Sequence, residues 1–236
     1  MAITIIDRPA LVQSLSQRLT WLRAGVLGAN DGIVSTAGLV FGVAGATTDS
    51  VALLIAGLAG MVAGALSMAG GEYVSVSSQR DSERAAIRQQ QSELHADPEG
   101  KLHQLAGHYA QRGLSQDLSL QVARELSNHA ALDAHAQVFL NLDAGEHVSP
   151  WIAARASLFA FLAGSVIPLV AIISTPLGIR LPLTVAAVLA ALVVTGVVSA
   201  RLGGAGPLRA VIRNVMVGSL AMGLTYLVGW FVGQQL

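Results

Sequence analysis

The 236-residue sequence contains no cysteine. Disulfides, thiolate metal sites and cysteine nucleophiles are therefore excluded. Charge is scarce too. Asp, Glu, Lys and Arg make up 12% of the chain, about half the ~25% of a typical soluble domain, so an ordinary soluble enzyme fits poorly. Neither sign dominates: 14 basic and 14 acidic residues cancel, leaving no excess for binding nucleic acid. The chain lacks a phosphate loop, a nucleotide motif and any nucleophile–base pairing, so neither enzymatic chemistry nor ATP coupling is indicated. No nucleotide partner and no permanently bound cofactor are expected.

What the chain has instead is long apolar runs. It is 53% hydrophobic, with mean hydropathy +0.60. Five runs approach the ~20 residues needed to cross ~30 Å of hydrocarbon. They cover residues 23–46, 51–77, 151–173, 183–200 and 211–232. The fold class expected is all-α: a polytopic membrane protein with five transmembrane helices. Before the first run, Leu11, Leu15, Leu19 and Leu22 recur at helical spacing. This predicts a short amphipathic helix on the membrane surface leading into span one. Asp7, Arg8 and Pro9 interrupt the start, and no apolar stretch with a cleavage site follows, so a signal peptide is not expected.

Orientation follows from the basic residues. If the N-terminus lies inside, thirteen of the 14 Lys and Arg fall on the cytoplasmic side and only Arg180 falls outside. An odd number of spans then puts the C-terminus outside. The domains expected are residues 1–78, a cytoplasmic insert at 79–150, and residues 151–236. The insert holds all six histidines and ten of the 14 acids, which marks it as the polar part of the molecule.

The insert reads as a bundle of three helices. Span two continues past the membrane through Arg80, Glu83 and Ile87. Asp97-Pro98-Glu99 is a helix start, with a cap, a first-turn proline and an acid favourable to the dipole. That helix packs Leu102, Leu105 and Tyr109 inward and ends at Gly113. Ser115 opens the next helix, with Leu118, Val122 and Leu126 on one face. Ser149-Pro150-Trp151 caps span three and sets an aromatic at the interface.

Ionisable residues inside a bilayer are costly and mark function. Asp31 sits in Gly28-Ala29-Asn30-Asp31-Gly32, roughly 12 Å along the helix from Arg23. In span two, Met61, Met68 and Glu72 share one helical face. Met68 lies about 10 Å inside the cytoplasmic end of its span, a depth similar to that of Asp31. Asp31, Asn30 and Met68 thus offer a carboxylate, an amide carbonyl and a thioether at one level. Such a mixed set suits Mn²⁺ and Fe²⁺, and the thioether disfavours Mg²⁺ and Ca²⁺. Small residues crowd the same helices: Gly28/Gly32, Gly38/Gly42 and Ala56/Gly60/Gly64. They fit close helix packing, and also helices that slide during transport. Asn214, Met216, Met222 and Tyr226 in span five are weaker candidates.

The segment from Arg23 to Ser35 (RAGVLGANDGIVS), followed by Gly64 to Glu83 (GALSMAGGEYVSVSSQRDSE), resembles the vacuolar iron transporter family. The resemblance covers essentially the whole chain, with a bacterial-type Gly-Glu-Tyr motif. It implies a homodimer in the lipid bilayer that exports Fe²⁺ or Mn²⁺ from the cytosol in exchange for protons. By that resemblance Asp31 and Met68 are metal residues of the pathway; from the residues themselves Asn30 and Glu72 are expected to join them, and Asp31 and Glu72 are the carboxylates expected to couple protons. A glutamate of eukaryotic members falls at Gly60 and is absent here, which leaves Glu72 to take part of its role. Eukaryotic members gather metal in the insert with several glutamates and a methionine. Glu99 is kept, and the other positions fall near Arg88, Gln91, Leu102 and Phe139. Two pairs at i, i+4 are placed to compensate: Glu99/His103 and Glu125/His129, the second extended by Asp133. The alternative is that these are solvated faces of a polar bundle.

Two other functions share these residues. A cation channel would use the same acids as a selectivity ring, and a membrane-anchored metal sensor would use the insert without transport. The membrane expected is a bacterial inner membrane.

Overall fold

The computed structural model describes residues 8–142 and 149–235, with side chains from Ala24 onward. Among the described residues every regular element is helical. In order they are α1 (Arg8–Ala46), α2 (Ser50–Ala96), α3 (Pro98–Gln111), α4 (Gln116–His135), a π-helical turn (Ala136–Leu140), α5 (Pro150–Ser174), a 3-10 turn (Leu177–Ile179), α6 (Arg180–Leu202) and α7 (Pro207–Gly233). Five stretches are long and apolar enough to cross a membrane: Ala24–Ala46, Ser50–Ala96, Pro150–Ser174, Leu177–Leu202 and Pro207–Gly233. The chain is an all-α, multi-pass membrane protein.

The chain divides into two compact units, Met1–Val74 with Ser149–Leu236, and Ser75–Val148. α2 belongs to both. Its 47 residues make a rod of about 70 Å, more than twice the hydrocarbon thickness. At the other end, α1 runs unbroken from Arg8, so the expected surface helix and span one form a single helix. The leucine face at positions 11, 15, 19 and 22 lies outside the described side chains.

In the membrane unit α1 is the central element, packed on α5 and α7 and touching α6. Its Ile33, Ala37, Val40 and Phe41 meet Leu53 of α2, Ile172 of α5, Val188 and Leu192 of α6, and Met222 of α7. Small residues set how closely the helices approach. A Cβ on Gly28 would come within 2.9 Å of the Ser157 carbonyl oxygen, so α1 and α5 touch backbone to backbone. Against α2 the contacts are of another kind. Gly57, Gly60 and Gly64 lie under the side-chain ends of Leu169, Leu39 and Phe161. In its most apolar window α2 is 17% buried, against 44% for α1. It is the span least covered by the rest of the unit apart from α7, at 11%.

At one end of this unit Arg180 is buried with no carboxylate partner among the described residues. Its Nη2 donates to Ser50 Oγ at 2.8 Å, Nη1 to the Thr48 carbonyl at 3.2 Å, and Nε to the Thr175 carbonyl at 3.3 Å. One planar fork thereby ties the α1–α2 turn to the α5–α6 turn. Ser149 occupies the N-cap of α5 but makes no side-chain cap bond. Trp151 is exposed, with its ring 4.7 Å from that of Tyr73.

The second unit comprises the tail of α2, α3 and α4. Asp97 caps α3 by accepting from the Gly100 amide at 2.9 Å, with Pro98 in the first turn. The helix gives way at Gly113, whose φ of 101° favours glycine. Ser115 caps α4 through the Leu118 amide. Leu105, Ala106, Ala123 and Ala134 form the core, with Leu102, Tyr109, Leu120 and Leu126 packed on it. Leu118 is 48% exposed. The inward face of α4 is thus set by Ser119, Ala123 and Leu126, rotated from the Leu118–Val122–Leu126 stripe. Small residues let α4 come close to α3, so the larger apolar side chain faces out.

Candidate functional site

Asp31 lies about a third of the way along the Ala24–Ala46 span of α1 and is half-buried. One turn later the Ser35 hydroxyl donates to Asp31 Oδ1 at 2.8 Å. A cavity of about 280 Å³ opens beside them, between α1, α2 and α5. α1 contributes Asp31, Ser35, Thr36 and Leu39. α2 contributes Gly60, Gly64, Ser67 and Met68, spaced to fall on one helical face. Phe161 of α5 closes the floor.

This space exists because α2 carries glycine where it faces α1. Any side chain at Gly60 or Gly64 would fill it or displace Leu39 and Phe161. The polar donors are one carboxylate, three hydroxyls and one thioether. Thr36 Oγ1 is buried and has no hydrogen-bond partner, an orphan oxygen at the wall of a polar cavity. Hard oxygens with one soft sulfur match a borderline divalent cation better than Mg²⁺ or Ca²⁺. A volume of about 280 Å³ has room for a metal-sized ion and several waters.

The structure therefore brings Asp31 and Met68 to one cavity. It does not bring Asn30 or Glu72 to its wall. Asn30 turns away, with Oδ1 buried and unpartnered. Glu72 is half-buried one helical turn beyond Met68, about 6 Å along α2. Ser67 and Phe161 join the site without having been expected. Ser67 was legible as the neighbour of Met68. Phe161 carries no signal, because a phenylalanine in an apolar run looks like any other core residue. In α7, Met222 is buried in the core and Tyr226 packs against it, whereas Met216 is 66% exposed.

In the insert, Glu99, His103, Glu125, His129 and Asp133 are all exposed. Among the described residues no three His, Cys, Asp or Glu gather as a metal site. His103 lines a cavity of about 390 Å³ with Gln116, Asp117 and Ser119 across the α3–α4 seam. The buried histidine is His135, fully enclosed, with Nδ1 3.4 Å from Gln90 Nε2. Burial pushes its imidazole below the ordinary value, and the charge of Lys101 adds to the effect. Lys101 itself pairs with Glu93, whose hydrogen bond to the ammonium holds its carboxyl below the usual range.

Comparison with known proteins places this geometry. The VIT family model matches residues 22–230, nearly the whole chain. A vacuolar iron transporter of Acanthamoeba castellanii is 40% identical over 217 residues, covering 89% of this chain and 78% of the relative. Vacuolar iron transporter homolog 5 of Oryza sativa subsp. japonica is 38% identical over 226 residues, covering 93% and 86%. Vacuolar iron transporter homolog 2 of Arabidopsis thaliana is 36% identical over 231 residues, covering 96% and 93%. The match spans both the α1 segment with Asp31 and the α2 segment with Met68, and the chain belongs to the VIT family.

Proposed function

We propose that this chain carries a divalent transition metal, Fe²⁺ or Mn²⁺, out of the cytosol while protons move the opposite way. The observation behind this reading is the cavity that sets Asp31 of α1 opposite Met68 of α2. Iron transport is supported by the names of the relatives. In this reading the ion binds Asp31 and Met68, with Ser35, Thr36 and Ser67 or water completing its shell. A carboxylate must be deprotonated to hold metal, so metal and proton binding are linked with opposite sign. Two states open to opposite sides turn that linkage into exchange. Glu72 is the second proton-coupling carboxylate, one turn beyond the cavity. Glu99 with His103, and Glu125 with His129, are the insert's candidate metal contacts, each needing water for the remaining positions.

The reading includes a homodimer. α2 leaves Val51, Leu54, Ile55, Leu58, Val62 and Leu66 exposed, and a second copy is the partner proposed for this face.

The test is flux into proteoliposomes, with Fe²⁺ (anaerobic) and Mn²⁺ in parallel and internal pH recorded. Asp31→Asn keeps the shape and removes the charge, so it should abolish flux in a folded protein. Wild-type flux in that variant refutes the site. Metal flux without proton movement makes the protein a channel. No flux from folded wild type, with metal bound by the insert, makes it a sensor.

A further inference from the structure

The C-terminal part of the chain, residues 149–236, carries five arginines and no acidic residue. Two of the five are used internally. Arg180 is bound by carbonyls and a hydroxyl, and Arg155 Nε donates to the Trp151 carbonyl of its own helix. Arg201, Arg209 and Arg213 remain. All three are exposed at the α6–α7 turn, and among the described residues they have no hydrogen bond or ion pair. Two of them line a cavity of about 510 Å³ where α6 ends and α7 begins, together with Ser199, Gly206 and Ala210. That volume is typical of a small-molecule site. Gly206 supplies no cap to α7, so the first-turn amides of the helix also face outward as free donors. The site lies at the ends of two spans, the depth at which headgroups sit.

We propose that this cavity holds the phosphate of an anionic phospholipid. Guanidinium forks bind phosphate oxygens bidentately, and nothing anionic from the described chain occupies them. A free phosphate would need only the arginines. The surface beside them is built for a lipid. Leu208, Ile212 and Met216 are 71%, 48% and 66% exposed, and their i, i+4 spacing makes one apolar stripe running along α7 from the cavity. Headgroup and acyl chain thus find adjacent polar and apolar surfaces on the same helix. The proposal stands independently of the metal chemistry.

The experiment is native mass spectrometry of the full chain, purified in detergent and incubated with mixed micelles of phosphatidylcholine and phosphatidylglycerol. Wild type should retain phosphatidylglycerol in preference. Each arginine at an anionic surface strengthens binding about fivefold, so Arg209→Gln/Arg213→Gln should weaken retention about 30-fold. Arg155→Gln, outside the cavity, should behave as wild type. The unfolding midpoint in phosphatidylcholine alone checks that the double variant is folded. Undiminished retention in the double variant overturns the proposal. So does an equal loss in Arg155→Gln, which would reduce the effect to overall charge. Displacement of the lipid by inorganic phosphate at comparable concentration also overturns it, since the site would then serve a soluble anion.

Discussion

Replacing Gly32 by alanine tests whether the α1–α5 seam holds the site in place. A Cβ on Gly32 would lie 3.0 Å from the Phe161 carbonyl carbon and 3.0 Å from Ser165 Oγ, and closer still to the Phe161 carbonyl oxygen. Ordinary contact begins near 3.4 Å, so these two contacts alone require the helices to part by about 0.4 Å, and the carbonyl oxygen requires more. Ser165 Oγ donates to the Gly32 carbonyl at 3.2 Å, and the same separation stretches that bond beyond useful length. Overpacking costs about 1–3 kcal/mol, and the lost interhelical hydrogen bond about 0.6 kcal/mol more. The higher helix propensity of alanine returns about 1 kcal/mol. The net expectation is roughly 2 kcal/mol of destabilisation, read as a lower unfolding midpoint in SDS or on heating. Gly70→Ala is the control, because a Cβ there meets nothing, and it should match or slightly exceed wild type. Ser165→Ala should not rescue Gly32→Ala, since the closest obstacle is backbone. Metal flux should fall with Gly32→Ala, because Asp31 is the preceding residue. A Gly32→Ala protein as stable as Gly70→Ala would refute the close-packing argument.

Three further outcomes are expected. Met68→Leu keeps the volume and removes the sulfur, so apparent Fe²⁺ affinity in flux assays should fall roughly tenfold, the low end of what disturbing a metal ligand set costs. Stability should change by less than about 1.5 kcal/mol. Arg180→Met strands the Thr48 and Thr175 carbonyls and the Ser50 hydroxyl, and should cost on the order of 3 kcal/mol; the same unfolding assay checks it. His135 binds protons less readily when buried than when unfolded. The bundle should therefore hold full stability above about pH 6.5. It should lose stability as pH falls through that value, by at most ~1.4 kcal/mol per pH unit. The groups facing the imidazole are Gln90, Lys101 and Phe139. Hydrogen exchange of α3 and α4 in the full chain reads the slope, and His135→Gln should flatten it.

The spans were legible because a bilayer demands long apolar runs, and their ends were marked by arginine, proline and serine. Asp31 stood out for the same reason in reverse: a lone carboxylate in such a run is expensive. Met68 was legible through its depth, its shared face with Glu72 and the Gly64–Glu83 segment that carries the family resemblance. The floor of the cavity was not legible. Phe161 comes from α5, more than ninety positions from Met68, and no local pattern carries that pairing. Asn30 was grouped with the site as the neighbour of Asp31, and Glu72 by its shared helical face with Met68. A helix turns 100° per residue, so Asn30, though adjacent to Asp31, points elsewhere. The rotated face of α4 was missed because alanine and serine carry a weak apolar signal, yet they are what let two helices approach. His135 was passed over as one more histidine in a polar insert, although it is fully buried and burial lowers its proton affinity.

The two seams around the cavity differ in what they are made of. On the α5 side, main chain meets main chain at Gly28, Gly32 and Gly164, and there is no rotamer to change. On the α2 side, glycines lie beneath the tips of Leu39, Leu169 and Phe161, which turn about several bonds. The cavity therefore has one stiff wall and one compliant wall. Asp31 belongs to the stiff one and keeps its place, while Met68 rides on the compliant one. If the cavity binds metal as proposed, a change of ionic radius would be absorbed by repacking around α2, with the carboxylate staying where it is.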